Sequence, residues 1–134
     1  MAMIPRFRAW DKKFKEMVQV DALVFEEQII KATYKNGNVA KEDLKNYVLM
    51  QSTGLTDKNG KEIFEGDIIA IDVEDIEMPI NAKVFQNSKI GILMFHDFEE
   101  NEDVPMVELL EDDSVAFATI GNIYENPELL EVEQ

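Results

Sequence analysis

His96 is the only histidine of this chain, and Asp97 follows it directly. An imidazole beside a carboxylate is the start of a nucleophilic triad, in which the acid orients the ring and the ring takes a proton from a serine. Successive residues of a strand point to opposite faces, however, so the pair makes a poor dyad, and a strand or rim histidine is the simpler reading. Zinc is disfavoured too, because its usual sites draw on several His or Cys ligands.

Carboxylates are the other chemical resource. Asp72, Glu74, Asp75 and Glu77 form one cluster, and Glu99, Glu100, Glu102 and Asp103 form another. Grouped acids can hold a divalent cation for phosphoryl chemistry. Both clusters fall in loop-like sequence with no base or glycine beside them to shape a phosphate site, so they read as solvated surface, as does Glu111-Asp112-Asp113. Asp57-Lys58-Asn59-Gly60 opens like a calcium-binding loop, but the spacing fails. The fifth position is Lys61, the sixth is Glu62 and the twelfth is Ile68. It reads as a turn. Glycines stand singly at 37, 54, 60, 66, 91 and 121, so no phosphate-cradling loop is present. Arg6, Phe7, Arg8, Trp10 and Lys12 interleave bases with aromatics, as a single-strand nucleic-acid binder does. In a strand, Phe7 instead points to the core and the arginines outward. The sequence therefore predicts no catalytic residue, no cofactor-binding residue, no metal ligand and no cofactor.

The elements carrying these residues read as mainly β. Phe7 to Trp10, Met17 to Phe25 and Gln28 to Tyr34 are strand-like, the alternation Val18-Gln19-Val20-Asp21 marking a half-buried strand. Asn36-Gly37 predicts a tight turn, since both residues tolerate positive φ. A short helix is expected over Val39 to Asn46, followed by a strand over Tyr47 to Ser52. Thr56 to Lys61 is the clearest turn. In Ile68 to Val73, Ile69, Ile71 and Val73 share one face. Ile80 to Phe85 and Ile90 to Phe98 form a predicted hairpin through Gln86-Asn87-Ser88-Lys89. The acidic loop Glu99 to Asp103 leads to a run over Val104 to Leu110, and Val115 to Ile123 follows. Asn126 as N-cap and Pro127 in the first helical position predict a C-terminal helix, complemented by Glu128 and Glu131, with Leu129, Leu130 and Val132 docking it.

At 134 residues the chain has the length of one domain, or of one domain with a small appendage. Its hydrophobic content of 46% is ample for a core. With no cysteine, disulfides and thiolate chemistry are excluded, and an intracellular, cytoplasmic life is expected. The N-terminus has no signal-like apolar run, and no stretch approaches the ~20 apolar residues of a membrane-spanning helix, so a soluble protein without membrane contact is expected. The net charge of −15 is uneven. Residues 1–66 hold 11 Lys/Arg against 10 Asp/Glu, whereas residues 67–134 hold 2 against 18. Such an acidic half repels phosphate, which disfavours nucleic acid as a partner there.

Three blocks resemble the YopX family of phage and prophage proteins. They are Ile4 to Asp11, Met50 to Ile69, and Ile120 to Leu130, in the family's order and at its spacing. The resemblance implies a largely β protein with a small barrel-like C-terminal part, to which the residues themselves add one or two short helices, one of them C-terminal. The chain is expected to form a single domain of this type over 1–134; without repeats or a low-complexity linker, any subdivision falls near Asn46 to Gly54, into an N-terminal β portion, 1–48, and a barrel-like portion, 49–134. The resemblance implies no established activity and no catalytic residue.

Charge layout and the missing site together predict a non-enzymatic accessory protein of a bacterial host cell. It would act through an unidentified protein partner and through self-association as a homo-oligomer. One alternative is an acidic decoy that imitates DNA before a host nucleic-acid-binding protein. A metal-dependent phosphoesterase built on the acidic clusters ranks below it, and a nucleic-acid binder through Arg6 and Arg8 comes last.

Overall fold

The structure is a computed structural model and describes residues 4–130. Its chain divides into two compact units, the first ending at Ser52 and the second beginning at Thr53.

Local chemistry builds the first unit as an antiparallel meander. Strands β1 (Phe7–Asp11), β2 (Glu16–Val24), β3 (Ile29–Thr33), β4 (Val39–Asp43) and the first part of β5 (Tyr47–Thr56), up to Ser52, lie in the order β4-β3-β2-β1-β5. The predicted alternation in β2 is realised: Val18 is buried, Gln19 and Asp21 are exposed, and a bulge falls between Val20 and Ala22. The core of this unit gathers Ala9, Val18, Ile30, Ala32 and Tyr47. Gly37, at φ 89°, turns β3 into β4 as Asn36-Gly37 predicts.

The helix expected over Val39 to Asn46 is instead strand β4 followed by one 3-10 turn, Leu44–Asn46. The tight turn sends the chain back along β3, pairing Val39 with Thr33 and Ala40 with Ala32. Pairing supplies a backbone partner at each step, while Lys41, Glu42 and Asp43 stay exposed on the outer strand of the sheet.

In the second unit β6 (Glu62–Phe64) lies beside the last part of β5, which begins this unit at Thr53, and Thr53 Oγ1 donates to the Ile63 carbonyl at 2.8 Å. Strands β7 (Asp67–Val73), β8 (Ile80–Asn87), β9 (Ile92–Asp97), β10 (Glu102–Pro105) and β11 (Val115–Asn122) form an antiparallel sheet in the order β10-β9-β8-β7-β11. This sheet is open, with β10 and β11 as its two outer strands, and it does not close into a barrel. Ile63, Ile69, Ile71, Val84, Phe95 and Phe117 head its core, with Val73 packed against it, so Ile69, Ile71 and Val73 share the face read from the sequence.

Three further expectations shift. The β8–β9 turn occupies Ser88 to Gly91, two residues later than read, because Gly91 supplies φ 70° and its N–H closes on the Asn87 carbonyl at 2.7 Å. The run Val104 to Leu110 breaks in two. Strand β10 ends at Pro105, which has no N–H to continue a ladder, and one helical turn, α1 (Val107–Leu110), follows and buries Leu109. The C-terminal helix is a single 3-10 turn, Pro127–Leu130, with Leu129 half-buried and Leu130 exposed. The Asn126 side chain does not cap it: Oδ1 accepts from the N–H of Asn122, behind the turn, at 3.1 Å. Glu131 and Val132 lie outside the described residues. No helix among the described residues is long and apolar enough to cross a membrane.

Candidate functional site

The first unit holds a buried polar chain that opens into a groove. Asp11 ends β1 on the face of Phe7 and Ala9, and only 3% of it is exposed. Its Oδ1 accepts from the N–H groups of Lys13 (2.8 Å) and Phe14 (3.1 Å), which folds the β1–β2 turn around the carboxylate. Its Oδ2 lies 2.6 Å from Oη of Tyr34, and that oxygen lies 2.6 Å from Oη of Tyr47. Asp11 can only accept, so Tyr34 donates to Asp11 and Tyr47 donates to Tyr34.

The protonation states follow from these bonds. Burial alone would raise the Asp11 carboxyl, but the Tyr34 hydroxyl, the two turn amides and the Lys13 charge outweigh it and hold Asp11 below its ordinary value. Tyr34 is pushed far up, by burial first and by its bonds to Asp11 and Tyr47 next. Tyr47 is raised by burial, and the charges of Asp11 and Glu42 raise it further, while its bond to Tyr34 opposes the shift. Both phenols therefore stay protonated at neutral pH. They can donate and orient; they are poor bases.

A small cavity of about 100 Å³ lies over this chain, bounded also by Lys13 and Asn46. It shares Phe14, Tyr34 and Glu42 with a larger groove of about 640 Å³, whose other walls include Glu16, Asn38 and Val39. The groove runs from the β1–β2 turn to the outer strand β4. Phe14 stands on its wall 67% exposed, with Lys13 Nζ 5.3 Å from its ring centroid.

The residues singled out from the sequence lie elsewhere. His96 sits on β9 with its Nδ1 2.7 Å from Asp103 Oδ1, a cross-strand neighbour on β10. Asp97 points away and is buried, accepting from the N–H groups of Glu99 and Glu100. The two acidic clusters are not as isolated as their local sequence reads: Lys58 reaches Asp72 at 3.4 Å across the fold, and His96 meets Asp103. Among the described residues no three His, Asp or Glu side chains converge as metal ligands.

Asp57 is a turn residue, as its failed calcium spacing implies. Its Oδ1 accepts from the N–H groups of Asn59 and Lys61, and its Oδ2 from Thr119 N–H on β11, each at 2.9 Å. Phe7 shares the face of buried Ala9, whereas Arg8 and Trp10 occupy the opposite face of β1. The two aromatics thus form no common stacking platform. The polar chain Asp11-Tyr34-Tyr47 escaped sequence reading because its members lie 23 and 13 residues apart. The available signal was an aspartate on the alternation Phe7, Ala9, Asp11, at a position otherwise reserved for the core.

Comparison with known proteins agrees with this architecture. The family model described as YopX protein matches residues 6–131. Protein EF1440 from Enterococcus faecalis is 33% identical, with 97% of this chain and 100% of that chain covered at a TM-score of 0.62. The protein yopX from Bacillus subtilis is 20% identical and shares the fold at a TM-score of 0.62, over 93% of this chain and 97% of that one. No curated protein matches the sequence. With nearly its whole length matched by one family, this chain belongs to the YopX family.

Proposed function

We propose that the chain is a non-enzymatic accessory protein of phage or prophage origin that acts in the bacterial cytoplasm through contacts with protein, including copies of itself. The carrying observation is the segregation of charge between its two units. Residues 1–52 hold nine Lys/Arg against seven Asp/Glu, a balance of +2, and residues 53–134 hold 4 against 21, a balance of −17. The basic residues of the first unit cluster at its start, with Arg6, Arg8, Lys12, Lys13 and Lys15 against Asp11 alone up to that point. Such a distribution supports head-to-tail contact between copies, which builds rings where the rotation closes.

The buried carboxylates support the same reading from the other side. Asp11, Asp57 and Asp97 accept from backbone N–H groups of their own turns, which is a structural use of an acid. Light scattering across a salt series tests the proposal. An oligomer at low salt that dissociates as salt screens the charges supports it. A strict monomer at every salt and protein concentration removes self-association.

The 21 acids of the second unit also favour a second reading, a decoy that presents the charge of DNA to a nucleic-acid-binding protein. Competition with labelled duplex DNA for a purified bacterial DNA-binding protein distinguishes it. A decoy displaces DNA at low salt; failure to displace it removes this reading.

A further inference from the structure

We infer that the groove of the first unit is a seat for an arginine side chain carried by a basic segment of a partner protein. The inference rests on the reading of the chain as a protein-binding module and adds where one contact is made and with what chemistry.

Four observations converge on the groove. Its volume of about 640 Å³ is enough for a long side chain with its flanking backbone. Its walls bring carboxylates from two strands, Glu16 of β2 and Glu42 of β4, and no Lys or Arg lines it. Neither carboxylate has an ion-pair partner among the described residues; Glu16 accepts only a long contact from Lys35 N–H at 3.4 Å. The third is a pair of exposed apolar side chains on the walls, Phe14 at 67% and Val39 at 73%, which give the groove an apolar surface beside its carboxylates. The Phe14 ring already carries a cation, the ammonium of Lys13 at 5.3 Å, so this ring is open to positive charge.

The fourth is the field beneath. Asp11 and Glu42 both line the inner cavity that the groove meets and both raise the Tyr47 hydroxyl, with Lys13 the one base among the residues bounding that cavity. A guanidinium suits this arrangement better than an ammonium. Its planar face stacks on an aromatic ring while its edge donates two parallel bonds to a carboxylate, and an ammonium has neither the flat face nor the fork. The side-chain amide of Asn38 adds a polar contact for peptide backbone at the rim.

The test uses the full chain, labelled with nitrogen-15, and a capped pentapeptide with one central arginine. Matching peptides carry lysine, citrulline or glutamate in its place. The expected result is saturable movement of the amide signals of Phe14, Glu16, Asn38 and Glu42. Citrulline keeps the shape and removes the charge, and it should bind at least tenfold more weakly. The double change Glu16→Gln with Glu42→Gln should weaken the arginine peptide by tenfold or more. The same loss of charge at Glu99 and Glu100 should leave it unaltered, which separates a seat from general attraction to an acidic protein. Movement spread over the second unit, indifference to the Glu16 and Glu42 changes, or no movement at millimolar peptide overturns the inference. Free arginine amide binding as tightly as the peptide also overturns it, by making the groove a small-molecule site. If the peptide fails while salt-sensitive association persists in light scattering, the seat falls and the protein-contact reading stands.

Discussion

Asp11 and Asp57 solve the same local problem in the two units and end in different places. Each is an almost fully buried carboxylate that binds the amides of the turn it opens, at positions two and three residues on for Asp11 and two and four for Asp57. Their second oxygens differ. Asp57 reaches the backbone of β11, 62 residues away, and its bonding ends on main-chain amides. Asp11 takes a tyrosine hydroxyl, and its bonding continues through Tyr34 and Tyr47 toward a cavity and a groove. A carboxylate that ends on main chain is a clamp. One that ends on side chains extends its bonding to groups that line a cavity. The cavity and groove over Asp11, Tyr34 and Tyr47 lie in the unit with the smaller charge imbalance.

The largest expected effect comes from removing the clamp. Asp57→Ala strands three amide donors that now bond to an ionised group, and such bonds contribute roughly 1.5–3 kcal/mol each without adding fully. A destabilisation of about 3–5 kcal/mol is expected, a large part of the total for a domain of this size. Chemical denaturation followed by far-ultraviolet circular dichroism measures it. Asp57→Asn keeps the shape and one acceptor and should lose about half as much. If both variants unfold like the parent, the turn is held by something other than this carboxylate.

In the first unit the comparison predicts a graded response. Tyr34→Phe removes the hydroxyl in the middle of the chain, leaving Asp11 without one donor and Tyr47 without its acceptor, at a cost of about 1–3 kcal/mol. Tyr47→Phe removes only the outer link and should cost about 1 kcal/mol or less. Equal losses would mean that the two hydroxyls do not bond in series.

How much of this was readable beforehand depends on the range of the interaction. Period-two alternation in β2 and β7 and the two Asn-Gly turns are local, and each emerged where its residues placed it. Val39 to Asn46 failed because its sequence is neutral between helix and strand, and pairing with β3 decides. Closure of the second sheet is likewise a matter of which distant strands meet, and nothing local to β10 or β11 states it. The candidate site is the extreme case. Its walls come from the β1–β2 turn, the start of β2, the β3–β4 turn and β4, so no short window of sequence contains it.

Acid should attack both units together. Asp11 and Asp57 are each held below the ordinary aspartate value of 3.8 in the folded state. For Asp57, burial pushes upward, and the amides of Thr119, Lys61 and Asn59 together outweigh it. A carboxyl depressed by folding contributes stability that is present above its unfolded value and disappears as pH falls through its folded value. Each therefore removes up to about 1.4 kcal/mol per pH unit below 3.8. Unfolding free energy measured from pH 6 to pH 2 should fall on that limb, and more gently in Asp57→Asn. A flat profile would deny both clamps their ionised form.

The smallest effect sharpens the contrast from outside. His96 and Asp103 face each other across β9 and β10 at 2.7 Å, as short a contact as any that Asp57 makes, but their side chains are 26% and 52% exposed. Water competes for both groups, ions screen them, and neither leaves a buried amide unpaired when the other is lost. Asp103→Asn should therefore cost about 0–1 kcal/mol, with the difference shrinking as salt is raised to 1 M. Distance alone would rank this pair with the Asp57 bonds; burial ranks it far below. A loss at Asp103 comparable to that at Asp57, unaffected by salt, would show that the shared strand ladder, not the exposure of the carboxylate, sets the worth of an acid in this fold.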